Sequence, residues 1–353
     1  MNKEDLFKKY FLDTSLKNPF FPEIGEGFSN PFIVEIIKNC LKDSHSAKKI
    51  LFPDLSEFES VSLFSDYGGE DKESQYVTYS FLVCAYLPLD FKKEMLKIRK
   101  KHGLNSPPKE IAYKSLDYIP IKNAMVEYLK ALDYLVPGFL FTIAIEKQIK
   151  NLINPFSQNP EDEIIKTLES EGLGGWKGKI AEKVLRISHI VSYLIALLCH
   201  ENHKVLWQTD DDAIIPNKEQ GDKLAQIVAS LIPMYMHKNL KGFGYATTFK
   251  DRNEMVFHDL LSATDLAAGA IAEAVNNSKM FKNKSNSDSS NIVEFKKTKN
   301  KHVIMDWISS DGISLRKLNM AITKNGDEFK YHRLNIKVDE KYKIKNKTIK
   351  VII

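Results

Sequence analysis

The spacing of apolar positions changes several times along the chain. Residues 1–50 break into short helices and loops, punctuated by Asn18-Pro19, Glu26-Gly27 and Asn30-Pro31, with helical spacing over 32–41. From Val61 the period shortens. A short strand over 61–66 is stopped by Tyr67-Gly68-Gly69-Glu70, and residues 76–87 form a long apolar, β-rich run. A charged helix follows over 91–102, then a weak third strand over 111–116. The next helix runs from Pro120 to Tyr134 and opens on a residue whose missing N–H costs nothing there. Residues 136–146 are apolar throughout, which predicts a strand covered on both faces. Beyond a lid-like excursion over 149–173 come the longest helix (179–201), a strand (204–210), a helix (218–231), a short strand (244–249) and a closing helix (257–275).

Three hairpin-connected strands followed by alternating helices and strands predict an α/β fold, a mixed sheet with helices on both faces, over residues 59–275. Residues 1–58 read as a helical and loop extension. After Asn276 the composition collapses into Asn, Ser and Lys, so 276–301 reads as a flexible linker. Residues 302–353 form a small β-rich, basic extension with a hairpin signal at Asn325-Gly326.

Charge refines this division. Beyond residue 275 there are 18 Lys and Arg against 8 Asp and Glu, whereas the first 275 residues hold 33 against 38. A mildly acidic body with a cationic tail implies affinity for a polyanion, and nucleic acid is the expected partner through the basic C-terminal region. The chain has 353 residues and is 43% apolar, enough for a sizeable core, and at 27% charged it is no collagen-like or wholly disordered sequence. The most apolar stretch, 187–199, is interrupted by Ser188, His189, Ser192 and Tyr193 and reads as a buried helix. No secretory signal is visible at the start, and Cys40, Cys84 and Cys199 form no paired spacing. Reduced thiols and a cytoplasmic location are expected, and a cysteine zinc site is excluded.

The chemistry lies in carboxylates that end apolar elements: Asp66 after the first strand, Glu146 after the strand over 136–146, and Asp210, Asp211 and Asp212 after the next. Asp265 sits among small and apolar residues in the closing helix, where an unpaired carboxylate is costly. Glu70 and Glu110 border strands. Read singly, such acids are as well explained by caps and solvated loops. Gathered together they need a positive counterpart. Oxygen ligands without histidine or thiolate favour Mg²⁺ or Mn²⁺, and two such ions about 4 Å apart suit phosphodiester cleavage. Other signatures fail. Residues 172–180 resemble a phosphate loop, but the glycine spacing before Lys179 is one residue too long and Ile180 stands where a Ser or Thr is needed. The two histidines of His200-Glu201-Asn202-His203 are three apart, not the four of a zincin helix. His189 reads as a core residue.

The ordered acids resemble the ribonuclease-H-like fold and, more narrowly, the bacterial and phage family catalogued as domain of unknown function 3800. The segments are Phe64-Ser65-Asp66-Tyr67-Gly68-Gly69, Lys109-Glu110-Ile111-Ala112-Tyr113-Lys114, Ile145-Glu146-Lys147, Trp207-Gln208-Thr209-Asp210 and Leu261-Ser262-Ala263-Thr264-Asp265-Leu266-Ala267-Ala268-Gly269. They span roughly residues 60–275. Tyr67 and Gly68 depart from the family's Glu and Ser, and the Glu110 segment lacks its His.

The resemblance implies a metal-dependent nuclease, with a setting in phage defence or a mobile element. Asp66 would bridge two Mg²⁺ or Mn²⁺ ions, Asp210 and Asp265 would hold one each, and Glu146 or Glu110 would complete the shell or orient water. Glu70 would substitute for the acid missing at Tyr67. The departures motivate the alternative: a catalytically degenerate scaffold of a larger complex, with an oligomer or a partner protein. A nucleotide- or tRNA-directed toxin is a third reading.

Overall fold

The computed structural model describes residues 15–16, 19–25, 30–210, 212–247, 255–277, 292–294 and 299–337. After helix α1 (Phe32–Ser46) come strands β1 (Ser60–Gly68) and β2 (Tyr76–Ala85), then α2 (Leu89–His102), α3 (Ile119–Leu135), β3 (Gly138–Glu146), α4 (Pro160–Ser170), α5 (Lys179–Leu198), β4 (Lys204–Thr209), α6 (Lys218–Met236), β5 (Gly242–Thr247) and α7 (Met255–Asn277). A short β6 (Ile292–Glu294), α8 (Lys299–Ser309), β7 (Leu315–Asn325), β8 (Glu328–Arg333) and β9 (Asn335–Lys337) complete the described chain. Seven strands form one mixed sheet in the order β5-β4-β1-β2-β3-β7-β8, and β6 pairs with β9 apart from it.

The protein is therefore α/β, as the alternation of elements predicts. Strand β1 runs antiparallel to β2 and parallel to β4, β2 is antiparallel to β3, and β3 is parallel to β7. Five strands, β1, β3, β4, β5 and β7, thus present their carboxyl ends to one edge. The period of two sorts each strand between two cores. Val61, Leu63, Phe141, Ile143 and Trp207 pack toward α1, α5 and α6. Phe64, Leu82, Leu140 and Ala144 pack toward α2, α3, α7 and α8. Helix α5 is buried around almost its whole circumference, the charged Glu182, Lys183 and Arg186 included. Helix α7 is long and apolar enough to cross a membrane by length and composition, yet it lies largely buried as the core helix over β1, β2 and β3.

The sequence reading departs from the structure in particular places. Residues 111–116 are not a strand: they hold only a 3-10 turn at Tyr113–Ser115, and the third antiparallel strand is β3, reached through α2 and α3. Their apolar side chains, Ile111 and Leu116, are buried against the α7 side of the sheet. The expected lid over 149–173 contains α4, whose Ile164 and Leu168 join the α5 core. The expected tail does not stand apart, because β7 adds to β3 from Gly138↔Leu315 to Ile145↔Ile322. The predicted hairpin at Asn325-Gly326 turns β7 into β8, with Gly326 at φ 60°. Of the expected linker over 276–301, residues 278–291 and 295–298 lie outside the described residues, and the rest is regular structure: the end of α7, β6 and the start of α8.

Candidate active site

Asp66 sits near the carboxyl end of β1, one pairing step past Ser65↔Thr209, and faces the α7 side with Phe64. Asp210 follows β4 directly, its N–H donating to the Ser65 carbonyl at 3.2 Å. The two acids are thus neighbours on adjacent strands, about 4.8 Å apart at the backbone. Asp265 comes from α7, which lies across this end of β1: a Cβ built on Gly68 would fall 3.8 Å from the Ala268 Cβ and 3.0 Å from Thr78 Oγ1. Gly68, where the related motif has Ser, therefore allows close approach of sheet, helix and the buried Thr78 hydroxyl.

Electrostatics report the same convergence. Burial pushes the Asp66 carboxyl well above its usual range, and the charges of Asp265, Asp210 and Asp212 push it further. Asp66 makes no ion pair among the described residues. Asp265, half-buried, is pushed up to about 6 by burial, with Glu110 and Asp210 adding to the rise and the Tyr113 N–H and Lys114 opposing it. Three acids from β1, the end of β4 and α7 are thereby gathered, with Glu110 at their border. Nearby, Gln208 faces the same side as Asp66, and its Nε2 is buried without a hydrogen-bond partner. Among the described residues, no group of three His, Cys, Asp or Glu side chains is close enough to hold a metal ion as the side chains stand.

Glu110 reaches this border through a held segment. The buried Arg99 guanidinium donates from Nε to Asp259 Oδ1 and Oδ2 at 3.0 and 3.1 Å, and from Nη1 to the Lys109 carbonyl at 2.8 Å and the Leu104 carbonyl at 3.3 Å. Two residues after Ile111, the Tyr113 N–H donates to Asp265 Oδ2 at 2.6 Å and the Tyr113 hydroxyl to Glu273 Oε2 at 2.7 Å. Its ring lies flat on Gly269, where a Cβ would meet ring carbon at 2.4 Å. Any side chain at 269 would lift the segment away. Arg99 and Asp259 escaped the sequence reading; a charged residue at each of two apolar helix faces was the available signal.

Glu146 does not belong to the cluster. From the Asp66↔Ser80↔Thr142 row it lies four residues further along β3 and two strands over, roughly 16 Å away by strand geometry. Its Oε2 accepts the Lys324 N–H at 2.9 Å, so it secures the departure of β7 from the sheet.

On the opposite face, a second group of acids sits by a cation. Lys183, buried on α5, donates to Asp212 Oδ1 and Oδ2 at 2.7 and 2.9 Å and also to Glu70 Oε1, with its Nζ 5.1 Å from the Tyr67 ring centre. Burial opposes its charge, but Tyr79, Asp212 and Glu70 together hold its pKa above the ordinary value. Glu70 is thus bound to Lys183 and does not replace an acid at 67 on the Asp66 side. Tyr67 itself points to this face, where its hydroxyl lies 2.9 Å from Ser65 Oγ and accepts from Thr209 Oγ1 at 3.0 Å. Asp211 lies outside the described residues. The glycine-rich 172–178 loop is docked: Trp176 Nε1 donates to the Ile214 carbonyl at 2.9 Å and Lys223 Nζ to the Gly174 carbonyl at 3.0 Å. His189 is the core residue the sequence implies, its Nδ1 2.9 Å from the Tyr235 hydroxyl.

The cationic C-terminal segment is partly consumed internally. Arg316 and Lys317 are buried, and Lys317 pairs with Asp133 at 2.6 Å. Lys301 pairs with Glu273 at 2.6 Å. Residues 338–353, which carry much of the remaining charge, lie outside the described residues.

Compared with known proteins, no family model matches the chain, and neither a curated protein nor a solved structure matches it.

Proposed function

We propose that this protein is a Mg²⁺- or Mn²⁺-dependent nuclease that hydrolyses phosphodiester bonds at the Asp66, Asp210 and Asp265 cluster. The observation that carries the reading is placement: three carboxylates from segments up to two hundred residues apart lie toward one carboxyl edge of parallel strands, near enough for their charges to raise the Asp66 carboxyl, and Asp66 is buried there with no ion pair among the described residues. Carboxyl edges of such sheets are where α/β proteins bind ligands. The strand order β3-β2-β1-β4-β5, with β2 antiparallel to its neighbours, also supports a ribonuclease-H-like arrangement.

The donor set fits hard divalent cations, since it is all oxygen and its mutual repulsion needs a positive counterpart. Asp66 would lie between the sites, and Asp210 and Asp265 would hold one ion each. The ions supply activation of the attacking water and stabilisation of the departing oxygen. The protein's own part is to hold Asp265 through the Tyr113 N–H, to keep Glu110 at the border, and to seal the floor of the site with Phe64 and the small residues of α7. The three thiols are free, in keeping with a reducing cytoplasm as the setting, and phage defence or a mobile element remains the context the motif resemblance favours.

Incubation of labelled DNA and RNA with Mg²⁺ or Mn²⁺ tests the proposal directly: cleavage is expected, and its loss in Asp66→Asn. Wild-type protein inert toward both nucleic acids, or an Asp66→Asn variant as active as wild type, removes it. A second reading, a binding scaffold that has lost chemistry, draws on Tyr67 facing away from Asp66 and on the wide spacing of the acids. Calorimetry separates the two, because the scaffold predicts no saturable Mn²⁺ binding.

A further inference from the structure

The acid cluster repels the very phosphates it is proposed to cleave, so a substrate strand needs cations and a footing at its border. Only one described segment bordering Asp265 supplies both. Residues 109–118 leave Arg99's grip at Lys109, cross α7 under the Tyr113 ring, and emerge at Tyr118, which caps α3. Along this path Lys109 and Lys114 are exposed, and Lys122 is exposed on the first turns of α3. Lys114 adjoins the residue that holds Asp265, and its charge bears on that carboxyl. Tyr118 is 46% exposed and Ile119 69%, an apolar step on an otherwise charged rim. The Lys109 ammonium stands 6.0 Å from the Tyr118 ring centre. The acids of the segment are Glu110 and Asp117, both exposed, and the Glu110 charge raises the Asp265 carboxyl.

We infer that residues 109–118 form a track for a single-stranded nucleic acid, with Lys109 and Lys114 on successive phosphates and one unpaired base stacked on Tyr118 beside Ile119. The inference rests on the nuclease reading for its direction, since the track leads to Asp265. A ring 46% exposed at the rim with an ammonium over it suits a base with a free face, and a duplex, whose bases are stacked on each other, cannot use it. Rigidity favours this role. The backbone on either side is fixed by Arg99, by the Tyr113 contacts and by the start of α3, so binding orders little further chain.

Fluorescence anisotropy of the full chain with fluorescein-labelled single-stranded DNA, single-stranded RNA, duplex DNA and RNA–DNA hybrid, in Ca²⁺ or EDTA to withhold cleavage, tests the track. Tight binding of a single strand is expected, with Tyr118→Ala weakening it about tenfold and Tyr118→Phe retaining it. Lys114→Ala and Lys109→Ala should each lower the salt slope by about 0.7. Lys97→Ala, on α2 away from the track, should change nothing. A duplex or hybrid bound as tightly as a single strand, Tyr118→Ala binding like wild type, or no binding at all overturns the inference. Tyr118-dependent binding without cleavage under Mg²⁺ or Mn²⁺ would uphold the track and remove the nuclease reading. Cleavage with Tyr118-independent binding would do the reverse.

Discussion

Two groups of acids occupy the same end of the sheet on opposite faces. On the α5 face, Asp212 and Glu70 close on the buried Lys183, and Ile214, two residues after Asp212, is further fixed by Trp176. On the α7 face, Asp66 is at least as buried and makes no ion pair among the described residues, with Asp210 and Asp265 raising the cost of its charge. The first group has a cation at hand and serves the fold. The second is held in a state that folding alone does not reward, which is what the proposed cation site requires.

The sharpest way to break this comparison is to remove the balance from the first group. Lys183→Met should cost about 3 kcal/mol, since one partner of a buried pair leaves the other uncompensated, and Lys183→Met/Asp212→Asn should recover part of it. Denaturant titration measures both, and a neutral Lys183→Met would show that the two groups do not differ in kind. Next in size, Asp66→Asn should lower cleavage about a hundredfold or more, read as initial rates at saturating Mn²⁺.

Smaller still is a pH effect with a definite sign. The Asp66 and Asp265 carboxyls hold protons in the folded protein that the unfolded chain, near pH 4, has already released. Their contribution to stability is therefore greatest in acid and is lost as pH rises from about 4 through about 6, the value to which Asp265 is pushed. Thermal melts without divalent cation should show Asp66→Asn more stable than wild type at pH 8 by about 3 °C, and level with it at pH 4. Mn²⁺ should raise the wild-type melting temperature at pH 8 and much less at pH 5. The least effect belongs to Glu146→Gln, which should leave cleavage unchanged and cost about 1 kcal/mol or less from its bond to the Lys324 N–H.

Much of this architecture is written locally. The apolar run of β3, the alternation in β1 and β4 and the helical spacing of α5 to α7 follow from their own residues, and three of the acids stand at the ends of those elements. What escaped was non-local. Residues 111–116 have the apolar content of a strand, but Asp265 and Gly269, distant in sequence, hold them as a loop over α7. Glu146 ends an apolar strand just as Asp66 does, and only strand order separates them. Lys183 is the cation for Glu70 across 113 positions, a pairing that nothing local to either residue announces.

The addition of β7 to β3 has a consequence for synthesis. The two strands are 177 residues apart in the chain, so on a ribosome moving at 5–20 residues per second β3 emerges roughly 10–35 s before its neighbour exists. Until then its outer hydrogen-bonding groups stay open to any other extended segment. The nascent protein therefore has a window of vulnerability to misassembly, and a chaperone that shields that one strand would raise its yield more than faster folding of any helix.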